Sequence, residues 1–295
     1  MSHFTVLVIG GNVDEQLAPY DEDIRVEDYS NGIVSDDDLL SFVKHYCDDE
    51  KAIAQVKELS LDELYAKFGE GWNGGTWKKN DDGQYEEMST YNPKSKWDWY
   101  SVGGRWSGYF KLKAGAKGEI GESGVFDNEA PEGTADILLK GDIDFDAMKN
   151  EAGEEAATRY DIVFKAIKDT PINESWEKIS EAIAPDYAKA REVYHAQVRV
   201  AAFKSVCEEH TDKFGFFSSV EDYNTDRETF IERTRNSAVA PFAVVIGGVW
   251  HEKGEMGWFG MSHNEVSQDE WNKKVAELID SVPDDTEFTL VDCHT

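Results

Sequence analysis

Apolar positions cluster at the two ends of the chain. Residues 3–10, HFTVLVIG, form a β-branched and aromatic run closed by Gly10-Gly11, which predicts a buried first strand. Near the other end, PFAVVIGGVW predicts a strand broken at Gly247-Gly248. SQDEWNKKVAELIDSV then has helical spacing, with a cap at Ser267 and Glu270 three residues on. TEFTLVDCH alternates apolar and polar positions and reads as a last strand. In the N-terminal part, SDDDLLSFVKHY carries a capped helix start with an apolar stripe at Leu39, Leu40 and Val43. SLDELYAKFG predicts a second helix that stops at Gly69. The stretch EGWNGGTWKKNDDGQYEEMSTYNPKS reads as turns around short strands.

The middle differs. From about Asp144 to Lys213 the chain is rich in Ala, Glu and Lys at helical spacing. One helix is predicted to end before Pro185 and another to follow it, with Ala190, Val193, Tyr194, Gln197, Val198, Ala201 and Ala202 near one stripe. The expected architecture is therefore α+β: a split antiparallel or mixed sheet with packed helices, containing ferredoxin-like elements, plus a helical insertion. The expected division is 1–140 as the N-terminal part of the α+β core with a Trp-rich strand, 141–236 as the helical insertion or arm, and 237–295 as the C-terminal part of the core.

Composition supports a folded core: of 295 residues, 40% are hydrophobic and 12% aromatic. No apolar run approaches the roughly 20 residues that cross a bilayer, and the N-terminus lacks the basic region and cleavage site of a signal peptide. Cys47, Cys207 and Cys293 are far apart, which argues against a disulfide framework and fits a reducing cytoplasm. Charge changes the picture most. Sixty acids against thirty bases give a net charge of −30. Such a surface repels nucleic-acid phosphates and anionic membranes, and attracts basic partners such as the DNA-binding groove of another protein. Solubility alone would also account for it.

Three constellations carry candidate chemistry. The first is KWDWYSVGGRW, residues 96–106. On a regular strand Trp97 and Trp99 share one face, expected in the core. Lys96, Asp98 and Tyr100 share the other. Gly103-Gly104 invites a bend that aims Arg105 and Trp106. Aromatic planes beside Lys and Arg suit a nucleobase or a peptide; a Trp-rich structural strand is the alternative. The second is residues 247–263, where His251, Glu252, Glu255 and His263 accompany Trp250 and Trp258. It lacks HExxH, and Gly254 and Gly257 favour a hairpin over a metal-binding helix. The third is the tail. Asp292 and His294 share a strand face, Cys293 points away, and His3 joins them if the first and last strands pair. No metal or other cofactor is expected, but His3, Asp292 and His294 are the residues that would form a metal or general-base site. Walker, GxGxxG, GxSxG and CxxC motifs are absent.

The segments MSHFTVLVIG, QLAPYDE, YNPKSKWDWYSVGGRWSG and MGWFGM with the VDCHT ending resemble a family of uncharacterised proteins encoded by phages and prophages. The resemblance covers both ends and the aromatic centre and leaves the helical middle aside. It brings no established catalytic residues. It implies an accessory role in the cytoplasm of an infected cell, with counter-defence the natural candidate. The chain is similar in length to the large phage inhibitor of the Gabija defence system.

The expected function is an acidic, phage-type inhibitor that binds a host protein and masks a nucleic-acid-binding surface, without itself binding nucleic acid or membrane. Self-association is left open. Two alternatives from other classes are a nucleotide or cyclic-nucleotide sponge or hydrolase using the Trp/Lys/Asp/Arg cluster, and a metal-dependent hydrolase.

Overall fold

The computed structural model describes residues 2–34, 63, 77–124, 130–214, 218–257 and 261–295. Apart from Glu63, the helices predicted over 35–46 and 60–69 lie outside the described residues, as do Cys47 and Trp258. The chain is α+β. Its described residues contain seven helices and several sheets, and none of these helices is long and apolar enough to cross a membrane.

Eight strands form the main sheet: β1 (His3–Ile9), β2 (Trp99–Gly104), β3 (Gly118–Glu119), β4 (Glu122–Ser123), β5 (Ile137–Leu139), β6 (Ala243–Ile246), β7 (Val249–Glu252) and β8 (Glu287–His294). The order is β7-β6-β1-β8-β5-β3, with β2 also paired to β8 and to β4. β1 is central because its β-branched run is apolar on both faces. It runs parallel to β6, from Val6 opposite Ala243 to Ile9 opposite Ile246. It runs antiparallel to β8, from His3 opposite His294 to Ile9 opposite Phe288. Gly247 and Gly248, both at positive φ, turn β6 into β7.

The period-2 pattern decides what the sheet buries. Leu7, Ile9, Val244, Phe288 and Leu290 pack with Phe110, Ile143 and the helix Gln268–Asp280 through its Trp271, Val275 and Ile279. Each such large side chain contributes about 1.5–3 kcal/mol on burial. The predicted capping box forms: Ser267 Oγ accepts from Glu270 N, and Glu270 accepts from Ser267 N. Trp271 satisfies its indole by donating to Pro241 O at 2.7 Å. The sheet face therefore grades from apolar at the Ile9–Phe288 end to polar at the His3–His294 end.

In chain order the helices are α1 (Val13–Leu17), α2 (Phe145–Ile167), α3 (Trp176–Ile183), α4 (Tyr187–His195), α5 (Val198–Glu209), α6 (Arg227–Ser237) and α7 (Gln268–Asp280). Asp144, Ser175, Asp186 and Asp226 cap α2, α3, α4 and α6. This segment has its own core, including Tyr160, Val163, Ile167, Val200, Phe203, Val206 and Tyr223. The single helix expected beyond Pro185 is two. Gln197 is extended (φ −67°, ψ 134°). Its side chain accepts from Glu174 N at 2.7 Å and donates to Glu174 O at 3.0 Å. A backbone-like clamp on a neighbouring segment thus interrupts the helical stripe, leaving Val193 and Val198 exposed.

The chain divides into two compact units, residues 1–16 with 100–294, and residues 17–99 with Thr295. This differs from the division expected at 140 and 236. β1 pairs with strands more than 230 residues away, which separates residues 1–16 from residues 17–99. The helical stretch groups with the main sheet. The second unit holds a three-stranded sheet, Tyr29–Ile33, Tyr85–Ser89 and Trp77–Lys79, with Tyr85–Ser89 in the middle. Its two chain ends are stitched together. Trp97 Nε1 donates to Leu17 O at 3.1 Å, Asn92 Nδ2 donates to Pro19 O and Asp21 O at 2.9 Å each, and Lys96 N donates to Tyr20 O at 2.7 Å. The LAPYDE and YNPKSKW segments, remote in sequence, are thus one piece of local structure.

Candidate functional site

The KWDWYSVGGRW stretch does not form one continuous strand. Trp97 makes an isolated bridge to Asp21, Asp98 bends, and β2 begins only at Trp99. Strict alternation from Lys96 therefore fails. Trp97 is buried, whereas Trp99 is 43% exposed, so the expected pair of core tryptophans is a single one. Asp98 Oδ1 accepts from Trp99 N at 2.8 Å, which holds the bend. Lys96, Asp98 and Trp99 belong to the 17–99 unit, and Tyr100, Arg105 and Trp106 to the other. Tyr100 donates its hydroxyl to Asp14, and burial followed by that carboxylate pushes its phenol above the ordinary range. Arg105 is exposed, and Trp106 packs against the main core.

The double glycine serves two buried carboxylates. Gly103 and Gly104 have φ of +75° and +54°, a left-handed conformation that side chains resist. A Cβ on Gly103 would stand 2.5 Å from Asp136 Oδ2, and one on Gly104 would stand 2.5 Å from Asp292 Oδ2. Asp136, fully buried on the segment leading into β5, accepts from Gly108 N at 2.7 Å and Tyr109 N at 3.2 Å through Oδ1. Its Oδ2 accepts from Gly121 N at 3.0 Å and Ser107 Oγ at 3.1 Å. Asp292 Oδ2 accepts from Arg105 N at 3.0 Å. The loop from Gly103 to Tyr109 is thus wrapped around acceptors that match its backbone donors. Asp136 was not among the sequence candidates. The signal for it was a lone acid inside the apolar run TADILLK.

At the polar end of the sheet, strand pairing brings His3, Asp292 and His294 together. His3 and His294 are directly opposite, with ring centroids 4.9 Å apart and planes at 73°. His3 Nδ1 lies 2.9 Å from Asp292 Oδ1. All three are on one face, and Cys293, also buried, faces the other way. Asp292 is therefore shared between an imidazole and the Arg105 amide. Among the described residues no group of three or more His, Cys, Asp or Glu side chains is placed to hold a metal ion. His3 and Asp292 form a hydrogen-bonded dyad, with the His294 ring edge-on to that of His3.

The 247–263 segment is built from hairpins. His251 and Glu252 lie on β7, and Glu255 pairs with His263 across a short two-stranded sheet. Helical HExxE spacing is thus absent. Burial, aided by Lys274, lowers the His251 imidazole below its ordinary value. Trp250 Nε1 donates to Glu252 at 2.8 Å, and Lys253 pairs with Glu265 at 2.8 Å. Trp258 lies outside the described residues.

No protein-family model, curated protein or solved structure matches the chain.

Proposed function

We propose that the protein works by binding: as an acidic, phage-type accessory protein it masks a basic, nucleic-acid-binding surface on a host protein, a defence nuclease in particular. The observation that carries this reading is the net charge of −30, with acids outnumbering bases in residues 1–140, 141–236 and 237–295 alike. Charge spread in this way acts over a Debye length and speeds encounter with a cationic groove. The buried carboxylates support the same reading, because the donors around Asp136 and Asp292 give them work in shaping a loop. The resemblance to phage-encoded proteins supplies the setting, the cytoplasm of an infected cell.

The test is a DNA-cleavage assay with purified defence nucleases, the Gabija complex among them, titrated with this protein. The expected result is stoichiometric inhibition that weakens as salt rises and is relieved by excess DNA. Unchanged cleavage across the panel, together with unchanged phage plating when the gene is deleted, would overturn the reading.

A further inference from the structure

A cleft of about 700 Å³ opens among α2, α6 and α7, within the larger unit. Its apolar lining is made of Val239, Ala240 and Ala276, small side chains over the buried Val275. One cation comes from each helix: Lys149 from α2, Arg233 from α6 and Lys273 from α7. None of the three forms an ion pair among the described residues, whereas Lys111, Lys178, Lys189 and Arg227 do. Arg233 feels Asp222 through space without touching it.

The cleft also carries acids, and each has another role. Glu232 is engaged by Arg235 at 3.2 Å. Glu228 and Asp269 sit in the first turns of α6 and α7, where the positive ends of the helices favour carboxylates. Asn272 donates to Ser237 Oγ at 3.2 Å and so ties α7 to α6. Gly153 lets α6 approach α2 closely, since a Cβ there would stand 2.9 Å from Arg235 Cγ. Thr229 and the exposed Asn236 add a hydroxyl and an amide along the wall.

From this arrangement we infer that the cleft binds a nucleotide. Its cations take the phosphate, the apolar patch of Val239, Ala240 and Ala276 takes the base, and Asn236 supplies a donor and an acceptor for the base edge. The cleft volume lies within the range typical of small-molecule sites. The overall negative field opposes anions, so binding depends on these three local cations and not on general attraction. Lys96, Asp98, Trp99 and Arg105 take no part, and masking of a partner neither requires nor excludes this site.

The experiment is calorimetry and thermal melting of the full chain with AMP and ADP, using adenosine and inorganic phosphate as the two halves. The expected result is a Tm rise of about 2–4 °C at roughly tenfold excess of AMP over its Kd, with smaller shifts for either half. Lys149→Gln, Arg233→Gln and Lys273→Gln are each expected to weaken AMP by about fivefold or more. Lys165→Gln, on α2 outside the cleft lining, is expected to leave AMP binding unchanged. Ala276→Glu, which sets a carboxylate on the apolar patch, is expected to abolish binding while the melt stays cooperative. The absence of AMP and ADP binding at millimolar concentration, or binding indifferent to all of these cleft variants, would overturn the inference.

Discussion

The carboxylate of Asp292 stands 2.5 Å from where a Cβ of Gly104 would be. The two residues are 188 positions apart, and the last strand of the chain dictates a glycine in the aromatic centre. Gly104→Ala is therefore expected to combine left-handed strain with a clash and to cost about 2–4 kcal/mol in chemical denaturation. Gly83→Ala is the control. It also has positive φ but open space around the missing Cβ, and about 1–2 kcal/mol is expected.

Asp136 offers a sharper test of the loop. Replacing it by Ala leaves three backbone donors and a hydroxyl buried without their acceptor, and about 3 kcal/mol or more is expected to be lost. Asp136→Asn retains an acceptor at one oxygen only. The amide group at the other would face a donor, from Gly121 and Ser107 or from Gly108 and Tyr109. A smaller loss is expected, with faster amide exchange on one side of the loop.

The dyad at the sheet end predicts a specific asymmetry. In Asp292→Asn the amide oxygen can keep Arg105 N only if the NH2 turns to His3 Nδ1, which then has to accept in the other tautomer, and both charge-assisted bonds are lost. A loss of about 1–3 kcal/mol is expected. Histidine NMR is expected to show a changed environment for both His3 and His294, because their rings touch.

Glu221 gives a pH dependence within the helical segment. Burial pushes its carboxyl up, but hydrogen bonds from Ser219, Tyr194 and Asn173 outweigh that, and the net shift is downward from 4.5. A depressed folded-state value stabilises the fold above the unfolded value and is lost as pH falls through the folded one. Wild-type stability is therefore expected to decline below about pH 4.5 more steeply than that of Glu221→Gln, measured by urea melts from pH 7 to pH 3. Asp222 is raised chiefly by burial and also by the Glu221 charge, so Glu221→Gln relaxes part of that upward shift as well.

The Gln197 clamp predicts a local effect. Gln197→Ala removes both bonds to Glu174 and is expected to cost about 1–2 kcal/mol. Hydrogen exchange at the Glu174 amide is expected to accelerate, with the main sheet unaffected.

Local pattern by itself determined the elements whose signal is short-range. β1, the β6–β7 hairpin, α7 with its capping box and β8 follow from periodicity, glycines and caps, which act within a few residues. Alternation also placed Asp292 and His294 on one face with Cys293 on the other, and left His3 to join them on the condition that the first and last strands pair, which the fold supplies. Only the tertiary structure decided the rest. Periodicity carried α4 through Gln197, but a polar clamp to Glu174 ends it. Alternation put Trp99 in the core, but the chain bends at Asp98 before β2 begins. Gly103-Gly104 announces an unusual backbone without saying for what. The acceptors that require it come from Asp136 and Asp292, on segments that meet the loop only in the folded sheet. The cleft is a further case: Lys149, Arg233 and Lys273 lie on three helices with no common motif, and helix packing alone makes them neighbours.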